Sequence, residues 1–161
     1  MTISVGDSVP AATFRMLTAD GPAEMSSDEL FKGKKVVVFA VPGAFTPTCS
    51  AKHLPGFIEH AGSIKGKGVD TIACVSVNDM IVMQEWGKQQ GAGDDILMLS
   101  DGNAEFTTAA GLDFDGSGFG LGTRSKRYAM IVEDGKVTHL SVENAPPEMN
   151  VSGAEHVLAA L

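Results

Sequence analysis

Apolar runs separated by polar and glycine-containing segments recur along the chain. Residues 36–41 and 69–77 are continuous apolar runs rich in β-branched side chains, and such runs predict central strands buried on both faces. Residues 96–99 predict a further short buried strand, and residues 12–16 predict a short strand near the start of the chain.

Helices are predicted at residues 79–90, 103–110 and 152–160, in addition to one that begins near Cys49. Asp79 and Asn103 are the expected N-caps of the first two, because their side chains can accept from unpaired backbone N–H groups. Gly91 and Gly93 are expected to end the first helix, since glycine readily adopts the left-handed conformation found at helix C-termini.

A hairpin completes the strand pattern. Residues 128–132 and 137–142 flank a turn that contains Asp134 and Gly135, and Asp-Gly between two apolar runs strongly indicates a tight turn. Strands that alternate with helices and end in a hairpin predict an α/β fold with a mixed central sheet flanked by helices. The length of the chain and the absence of repeats and linkers predict a single domain over residues 1–161.

One cysteine stands where the strand at residues 36–41 passes into a helix. Thr46 is a good N-cap and Pro47 a good first helical residue, so Cys49 lies three positions after the cap. Backbone N–H groups are unpaired there and the helix dipole is positive, which favours the thiolate form. We therefore interpret Cys49 as reactive. Pro55 is expected to kink or break the helix that follows.

The segment Thr46-Pro47-Thr48-Cys49 has the spacing of a C-x-x-C thiol–disulfide site in which threonine replaces the first cysteine. A lone thiolate cannot close the local disulfide of such a site. It can attack an electrophilic oxygen, and the sulfur then becomes a sulfenic acid. The Thr46 hydroxyl is suited to hydrogen-bond either the sulfur or the incoming oxygen.

Pro42, Thr46 and Cys49 match the pattern P-x-x-x-T-x-x-C, by which the chain resembles the peroxiredoxin family. The resemblance is to the type II, peroxiredoxin-5-like branch and extends over nearly the whole chain. Further segments that contribute to it lie within residues 50–56, 73–79, 85–87 and 124–128. It implies a thioredoxin-like fold and a thiol peroxidase that reduces hydrogen peroxide and alkyl hydroperoxides through a Cys49 sulfenic acid.

The resemblance also implies a role for an arginine at the start of a late strand, and Arg127 has that position. A guanidinium stays charged, favours the thiolate and has donors suited to a polarised peroxide. We expect Arg127, the Thr46 hydroxyl and backbone N–H groups of residues 43–49 to stabilise charge on the oxygens. Pro42 is expected to set the turn and to shield the thiolate from water. The neighbouring basic residues are interpreted as solvated surface residues: Arg124 and Lys126.

The second cysteine, Cys74, lies within the predicted strand at residues 69–77. A thiol in a buried strand is most often inert packing, and we interpret Cys74 in this way, with a resolving thiol as the alternative. Some relatives have a resolving cysteine near the C-terminus, but residues 149–153 contain none. The resemblance is therefore closest to members in which glutathione caps the sulfenic acid and glutaredoxin removes it. Thioredoxin is the alternative reductant, and the resemblance implies a homodimer that associates through exposed apolar loops near the active site.

Two other hypotheses remain open at this point. His53 stands one helical turn after Cys49, and a Cys–His pair serves cysteine hydrolases and acyl transferases. However, Pro55 and the capped turn explain the segment without a general base, and no acyl-binding loop is recognisable. The third hypothesis is a thioredoxin-like binding module without chemistry.

Composition restricts the partners and the compartment. The formal charge of −8 disfavours nucleic acid and anionic membranes as partners. No apolar stretch reaches the roughly 20 residues that cross a bilayer, and residues 1–7 lack the features of a secretory signal. Two cysteines make no disulfide framework, which fits a reducing cytoplasm.

We expect neither a cofactor nor a metal. The four histidines lack metal-ligand spacing. The glycine-rich residues 118–122 resemble a nucleotide-binding loop, but a strand and not a helix is predicted to follow them, so we interpret them as a flexible loop.

Overall fold

A mixed sheet of seven strands forms the centre of the molecule in the computed structural model, which describes residues 2–161. Met1, which belongs to the segment considered above for a secretory signal, lies outside the described residues. The strands are β1 (Thr13–Thr18), β2 (Gly21–Ser26), β3 (Lys35–Ala40), β4 (Thr71–Ser76), β5 (Leu97–Ser100), β6 (Asp113–Asp115), β7 (Thr123–Ser125), β8 (Tyr128–Glu133) and β9 (Lys136–Val142).

The strand order across the sheet is β2-β1-β5-β4-β3-β8-β9, and β6 and β7 form a separate antiparallel ribbon. Strands β3, β4 and β5 are parallel to one another. The outer pairs β1–β2 and β8–β9 are antiparallel, as are the junctions β1–β5 and β3–β8. The predicted mixed sheet is therefore confirmed.

Five α-helices connect or follow the strands: α1 (Ser27–Phe31), α2 (Leu54–Lys65), α3 (Met80–Gln90), α4 (Glu105–Ala109) and α5 (Ala154–Ala160). A π turn at Cys49–His53 leads directly into α2, and a 3-10 turn at Ser117–Phe119 lies between β6 and β7. Among residues 2–161, none of the helices combines the length and the apolar character needed to cross a membrane.

The core lies on both faces of the sheet, because successive side chains of a strand point to opposite faces. Val37 and Phe39 of β3 pack with buried residues of α2, α3 and α5. Val36 and Val38 pack on the other face with buried residues of α1 and α4. The continuous apolar run of β3 is thus explained by burial on both sides, and the predicted flanking helices are confirmed.

Local sequence rules predicted several element ends. Asp79 caps α3, since its carboxylate accepts from the Val82 N–H at 2.9 Å. Gly91 ends the same helix in the left-handed conformation, with a φ of 77°. Asp134 and Gly135 have φ values of 48° and 80° and form the two-residue turn between β8 and β9. These three predictions are confirmed.

The predicted cap of α4 is wrong. Ala104, with a φ of 56°, turns the chain so that the start of the helix returns to Asp101, and the Asn103 side chain takes no part. Asp101 accepts from the N–H groups of Phe106 and Thr107 at 3.1 and 2.8 Å, and from the Thr107 hydroxyl at 2.7 Å. The side chain that satisfies the start of the helix is therefore that of Asp101, two residues before Asn103, while Ala104 occupies the N-cap position.

Four elements were not predicted: β2, α1, β6 and β7. Strand β2 contains Gly21 and Pro22, both poor strand formers, and lies at the edge of the sheet. Helix α1 follows it and begins with a capping box, in which Ser26 and Glu29 each accept from the backbone of the other. At the other end of the chain, α5 begins at Ala154, so Ser152 of the predicted helix lies in the loop before it.

Candidate active site

The turn after β3 is fixed by hydrogen bonds to its own backbone and to the loop that follows β4. The Thr46 hydroxyl donates to the Gly43 carbonyl at 2.7 Å, and the Ala44 N–H donates to Oδ1 of Asn78 at 2.9 Å. Phe45 has a φ of 67°, which is uncommon for a residue with a Cβ atom. Pro42 is buried at the start of this turn. The surrounding contacts therefore hold the turn in a strained conformation.

The sequence suggested that the Thr46 side chain caps the helix, but it does not. Its hydroxyl is engaged with Gly43, and only its carbonyl joins the helix, where it accepts from the Ser50 N–H at 2.9 Å. Pro47 is the first helical residue, as expected. The hydroxyl oxygen of Thr46 retains lone pairs that can accept from an incoming hydroperoxide.

A π turn surrounds the cysteine. The Leu54 N–H donates to the Cys49 carbonyl, five residues earlier, at the start of α2. In a regular α-helix the ring of Pro55 would collide with the carbonyl of Ala51, and widening the preceding turn relieves this conflict. The interruption predicted at Pro55 thus takes the form of a π turn just before it, and α2 continues through the proline.

Arg127 meets Cys49 because of the register between β3 and β8. Ala40 pairs with Tyr128 in antiparallel register, so the turn after Ala40 and the residue before Tyr128 lie at the same end of the sheet. Arg127 is buried there, and its Nη2 donates to Sγ of Cys49 at 3.0 Å. Its Nε donates to the Pro146 carbonyl at 3.1 Å. The structure therefore places a fixed positive charge against the sulfur.

His53 holds the same guanidinium from the other side. Its Nδ1 lies 2.9 Å from Nη1 of Arg127, and its Nε2 lies 2.9 Å from the Ser152 carbonyl. Because arginine only donates and a carbonyl only accepts, these partners assign the proton to Nε2 and make Nδ1 an acceptor. Burial, and then the charge of Arg127, lower the pKa of His53 to about 3. The ring is therefore neutral at pH 7.

The hydrogen bonds of His53 argue against the hypothesis of a cysteine hydrolase or acyl transferase. A general base needs a ring nitrogen free to remove a proton from the thiol. Both nitrogens of His53 are committed, one to Arg127 and the other to Ser152. His53 instead orients the guanidinium that contacts Cys49, a role that the sequence analysis missed although it noticed the spacing of the two residues.

Cys74 is buried in the middle of β4, opposite Phe39 of β3. Burial, and then the proximity of Cys49, raise the pKa of its thiol well above the usual value. Both cysteines are free thiols. These features agree with the interpretation of Cys74 as inert packing.

Arg124 is not a solvated surface residue, so that interpretation is wrong. It is half-buried, and its Nε donates to the Leu121 carbonyl at 2.9 Å while its Nη1 donates to the Pro42 carbonyl at 3.4 Å. A Cβ atom on Gly43 would lie 3.0 Å from the same Nη1, so the glycine makes room for the arginine. Arg124 thereby ties the loop between β6 and β7 to the active-site turn. Lys126 is half-buried as well.

The other side of the turn contacts α3. Nε1 of Trp86 donates to the Ser50 hydroxyl at 3.0 Å, and the rings of Trp86 and Phe45 lie 6.5 Å apart between centroids. Trp86 itself is buried in the core. The residue that follows Cys49 is thus anchored to the sheet-facing side of a long helix.

The loop between β9 and α5 supplies carbonyl groups to the site. Those of Pro146 and Ser152 accept from Arg127 and His53, and that of Pro147 accepts from the Thr48 hydroxyl at 3.0 Å. Sequence patterns could not have identified these groups, because every residue has a carbonyl. Within residues 2–161, His, Cys, Asp and Glu side chains form no cluster of three or more suited to a metal ion.

Comparisons with known proteins identify the family. The Redoxin family model matches residues 4–158. Peroxiredoxin-2E-2, chloroplastic, from Oryza sativa subsp. japonica is 53% identical over 165 residues, which cover 99% of this chain and 73% of that relative. The chain belongs to the peroxiredoxin family.

Solved structures agree with this peroxiredoxin assignment. Reduced Prx3 from Vibrio vulnificus in complex with hydrogen peroxide is 57% identical, with a TM-score of 0.94 and 99% coverage of both chains. Peroxiredoxin 5 from Alvinella pompejana is 33% identical, with a TM-score of 0.86 and coverage of 98% of this chain and 97% of that one. The predicted thioredoxin-like fold and the resemblance to type II peroxiredoxins are confirmed. The peroxiredoxin is a thiol peroxidase, which acts on peroxides with a thiol reductant.

Proposed function

We propose that this peroxiredoxin reduces hydrogen peroxide and alkyl hydroperoxides through Cys49, with glutathione and glutaredoxin as its reductants. The observation that supports Cys49 as the reacting residue is the 3.0 Å contact between its sulfur and Nη2 of Arg127. Cys74, the other cysteine, has a raised pKa and no such partner among the hydrogen bonds of residues 2–161. A relative from Vibrio vulnificus was solved with hydrogen peroxide bound, which supports this substrate.

The first step is a nucleophilic displacement. The Cys49 thiolate attacks one peroxide oxygen, so that an S–O bond forms and the O–O bond breaks. The sulfur is oxidised to a sulfenic acid, and the leaving hydroxide or alkoxide takes up a proton to become water or an alcohol. Negative charge moves from sulfur to oxygen during this step. Donors fixed in advance around the oxygens stabilise that charge most effectively.

In our proposal Arg127 stabilises this charge, while Thr46 orients the peroxide and Pro42 limits the access of water. Nη2 of Arg127 already donates to the sulfur, where the peroxide must bind. The Thr46 hydroxyl donates to Gly43 and can accept from the hydroperoxide, which orients the attacked oxygen. Pro42 is buried at the start of the turn and limits the access of water.

The second step requires access for a larger molecule. Cys49 has 0% of its surface exposed, so a tripeptide thiol cannot reach the sulfur without local opening. The π turn at Cys49–His53 is a less stable geometry than an α-helix, which makes it the segment most suited to open. Glutathione then attacks the sulfenic acid, releases water and forms a mixed disulfide. Glutaredoxin takes the glutathionyl group and restores the thiol.

One set of assays tests the reaction and the reductant together. We expect sulfenic acid trapping at Cys49 after stoichiometric peroxide, and turnover with glutathione and glutaredoxin that exceeds turnover with thioredoxin. Cys49→Ser should abolish both, while Cys74→Ser should retain turnover because Cys74 is packing. A Cys74→Ser protein that folds but no longer turns over would contradict the glutathione route and favour a resolving thiol.

A homodimer is part of the proposal. Three exposed apolar side chains lie in the active-site turn or in segments connected to it: Phe45 in the turn itself, Ile81 in the first turn of α3, and Phe119 before β7. Asn78 connects the start of α3, which contains Ile81, to the turn, and Arg124 connects the loop that contains Phe119 to it. Apolar residues grouped in this way favour association with a second copy.

We also propose a cytoplasmic location, since two free thiols suit a reducing compartment, and cell fractionation tests it.

A further inference from the structure

Glu143 directly follows β9 and is buried, although the proposed reaction does not use it. We propose that Glu143 is a positioning residue for peroxide reduction, which acts on Arg127 through Ser152 and His53. The proposal rests on the peroxidase function proposed above. Among the hydrogen bonds and ion pairs of residues 2–161, the Glu143 carboxylate contacts neither the Cys49 sulfur nor the Arg127 guanidinium. Its effect on the reaction is therefore indirect.

The Glu143 carboxylate fixes three consecutive residues of the loop before α5. The Asn150 N–H donates to Oε1 at 2.9 Å, and the N–H groups of Val151 and Ser152 donate to Oε2 at 2.8 and 2.7 Å. The Ser152 hydroxyl donates to the same oxygen at 2.6 Å. Burial raises the pKa of Glu143, but the bonds from Ser152 and the backbone outweigh it, so the pKa is below its usual value. The group is therefore ionised at neutral pH.

Ser152 transmits this constraint to the active site. Its carbonyl accepts from Nε2 of His53 at 2.9 Å, which leaves Nδ1 as the acceptor for Nη1 of Arg127 at 2.9 Å. The guanidinium is planar, so fixing Nη1 also fixes Nη2, which donates to Cys49. An unbroken series of hydrogen bonds thus leads from Glu143 to the sulfur.

Charge and position predict opposite effects for the loss of Glu143. Removing a negative charge near Arg127 leaves the guanidinium freer to stabilise the thiolate, so charge alone predicts an equal or faster reaction. The amide of Glu143→Gln has a single accepting oxygen, so at least one of the four contacts is lost and the loop can shift. A shift of the Ser152 carbonyl releases His53 and misaligns Arg127. Loss of positioning therefore predicts a slower reaction. Whether the rate rises or falls distinguishes the positioning effect from the charge effect.

The experiment compares Glu143→Gln with Glu148→Gln. Glu148 lies in the same loop and has the same charge, but its side chain makes no hydrogen bond or ion pair within residues 2–161. We expect Glu143→Gln to form the sulfenic acid with hydrogen peroxide about tenfold to a hundredfold more slowly, since small misplacements of catalytic groups have effects of this size. Glu148→Gln should match the wild type. An unchanged or faster rate in Glu143→Gln would overturn the proposal.

A double-mutant cycle tests the route through the histidine. If Glu143 acts through His53, adding Glu143→Gln to His53→Met should slow the reaction no further. If the rate decrease of the double variant is instead the product of the decreases in the two single variants, the proposal is overturned. In parallel, the Nε2 proton resonance of His53 should shift or broaden in Glu143→Gln and stay in place in Glu148→Gln, a change that a general loss of stability does not produce.

If Glu143→Gln does not fold, Ser152→Ala decides the question. It removes the hydroxyl partner of Glu143 and keeps the carbonyl that accepts from His53. A shifted His53 resonance with slower sulfenic acid formation supports the proposal, and an unchanged resonance and rate refute it. A wild-type protein that consumes no peroxide would instead refute the proposed function, so the two failures are distinguishable.

Discussion

Arg127 illustrates how much one side chain contributes to this site. Its three nitrogens have three different partners: the Pro146 carbonyl, the ring of His53 and the sulfur of Cys49. An ammonium group would supply the charge but not this planar set of donors. The other two contacts keep one donor directed at the sulfur.

We predict that Arg127→Lys lowers the rate of sulfenic acid formation by about a hundredfold or more, as for the loss of one preorganised donor in other enzymes. The positive charge is retained, so the thiolate should form while its reaction with peroxide slows. Alkylation and peroxide kinetics measured side by side check this. Arg15→Lys, at an exposed arginine of β1, is the matched control and should behave as wild type. Equal peroxide rates for both variants would contradict the prediction.

His53 predicts an effect of pH on stability. Its pKa is about 3 in the folded protein and about 6.5 in an unfolded chain. Between these values the unfolded state binds more protons, so the free energy of unfolding falls as the pH falls from about 6.5 toward 3, by up to about 1.4 kcal/mol per pH unit. Urea unfolding over this range should show a shallower slope in His53→Met. His156→Met, at an exposed histidine, should keep the wild-type slope.

At the scale of elements, helix α4 depends on a residue outside it. Asp101 accepts three hydrogen bonds at the start of the helix, whereas Asn103 is exposed. We predict that Asp101→Ala lowers the free energy of unfolding by about 2 kcal/mol. Asn103→Ala should change it by less than about 0.5 kcal/mol, as an ordinary surface substitution does. Chemical denaturation of both variants checks this, and the reverse ranking would restore Asn103 as the cap.

Elements with strong local patterns were predictable, and those without were not. The buried run of β3, the Asp79 cap and the Asp134–Gly135 turn follow from nearest-neighbour chemistry. Strands β6 and β7 have three mostly polar residues each, and β2 contains Gly21 and Pro22, so pairing with a neighbour, not composition, makes all of them strands. The cap at Asp101 required the backbone conformation of Ala104, which no sequence pattern reveals.

The candidate site likewise has a part that the local sequence predicts and a part that it does not. The spacing of Pro42, Thr46 and Cys49 is local, so the turn that contains them could be predicted. The family resemblance selected Arg127. The contacts of Glu143 and Ser152 with one another, and of Ser152 with His53, depend on a loop that returns to the active site from a position 99 residues further along the chain. Such contacts are set by the tertiary fold and left no local pattern.

At the scale of the whole molecule, the strand order brings distant segments to one end of the sheet. The β3–β8 register places the active-site turn beside Arg127, and Arg124 adds the loop between β6 and β7. Phe119 in that loop is 82% exposed. The end of the sheet that holds Cys49 therefore also carries exposed apolar side chains that the proposed dimer can use.

We predict that Phe119→Asp lowers the dimer fraction, because a carboxylate in the proposed interface must lose its hydration without a partner. Sedimentation velocity over a range of concentrations measures this. Val5→Asp is the control, since Val5 is exposed to a similar degree and lies near β9, away from the turn. A monomeric wild type, or equal effects of the two substitutions, would contradict the proposed surface.

The bond between Trp86 and Ser50 has a practical consequence. Trp86 is the single tryptophan of the chain, and its indole N–H donates to Ser50, the residue next to Cys49. Indole emission responds to polar neighbours, so oxidation of Cys49 and opening of the π turn should each alter the fluorescence. Stopped-flow measurements can therefore follow both events in the unlabelled protein.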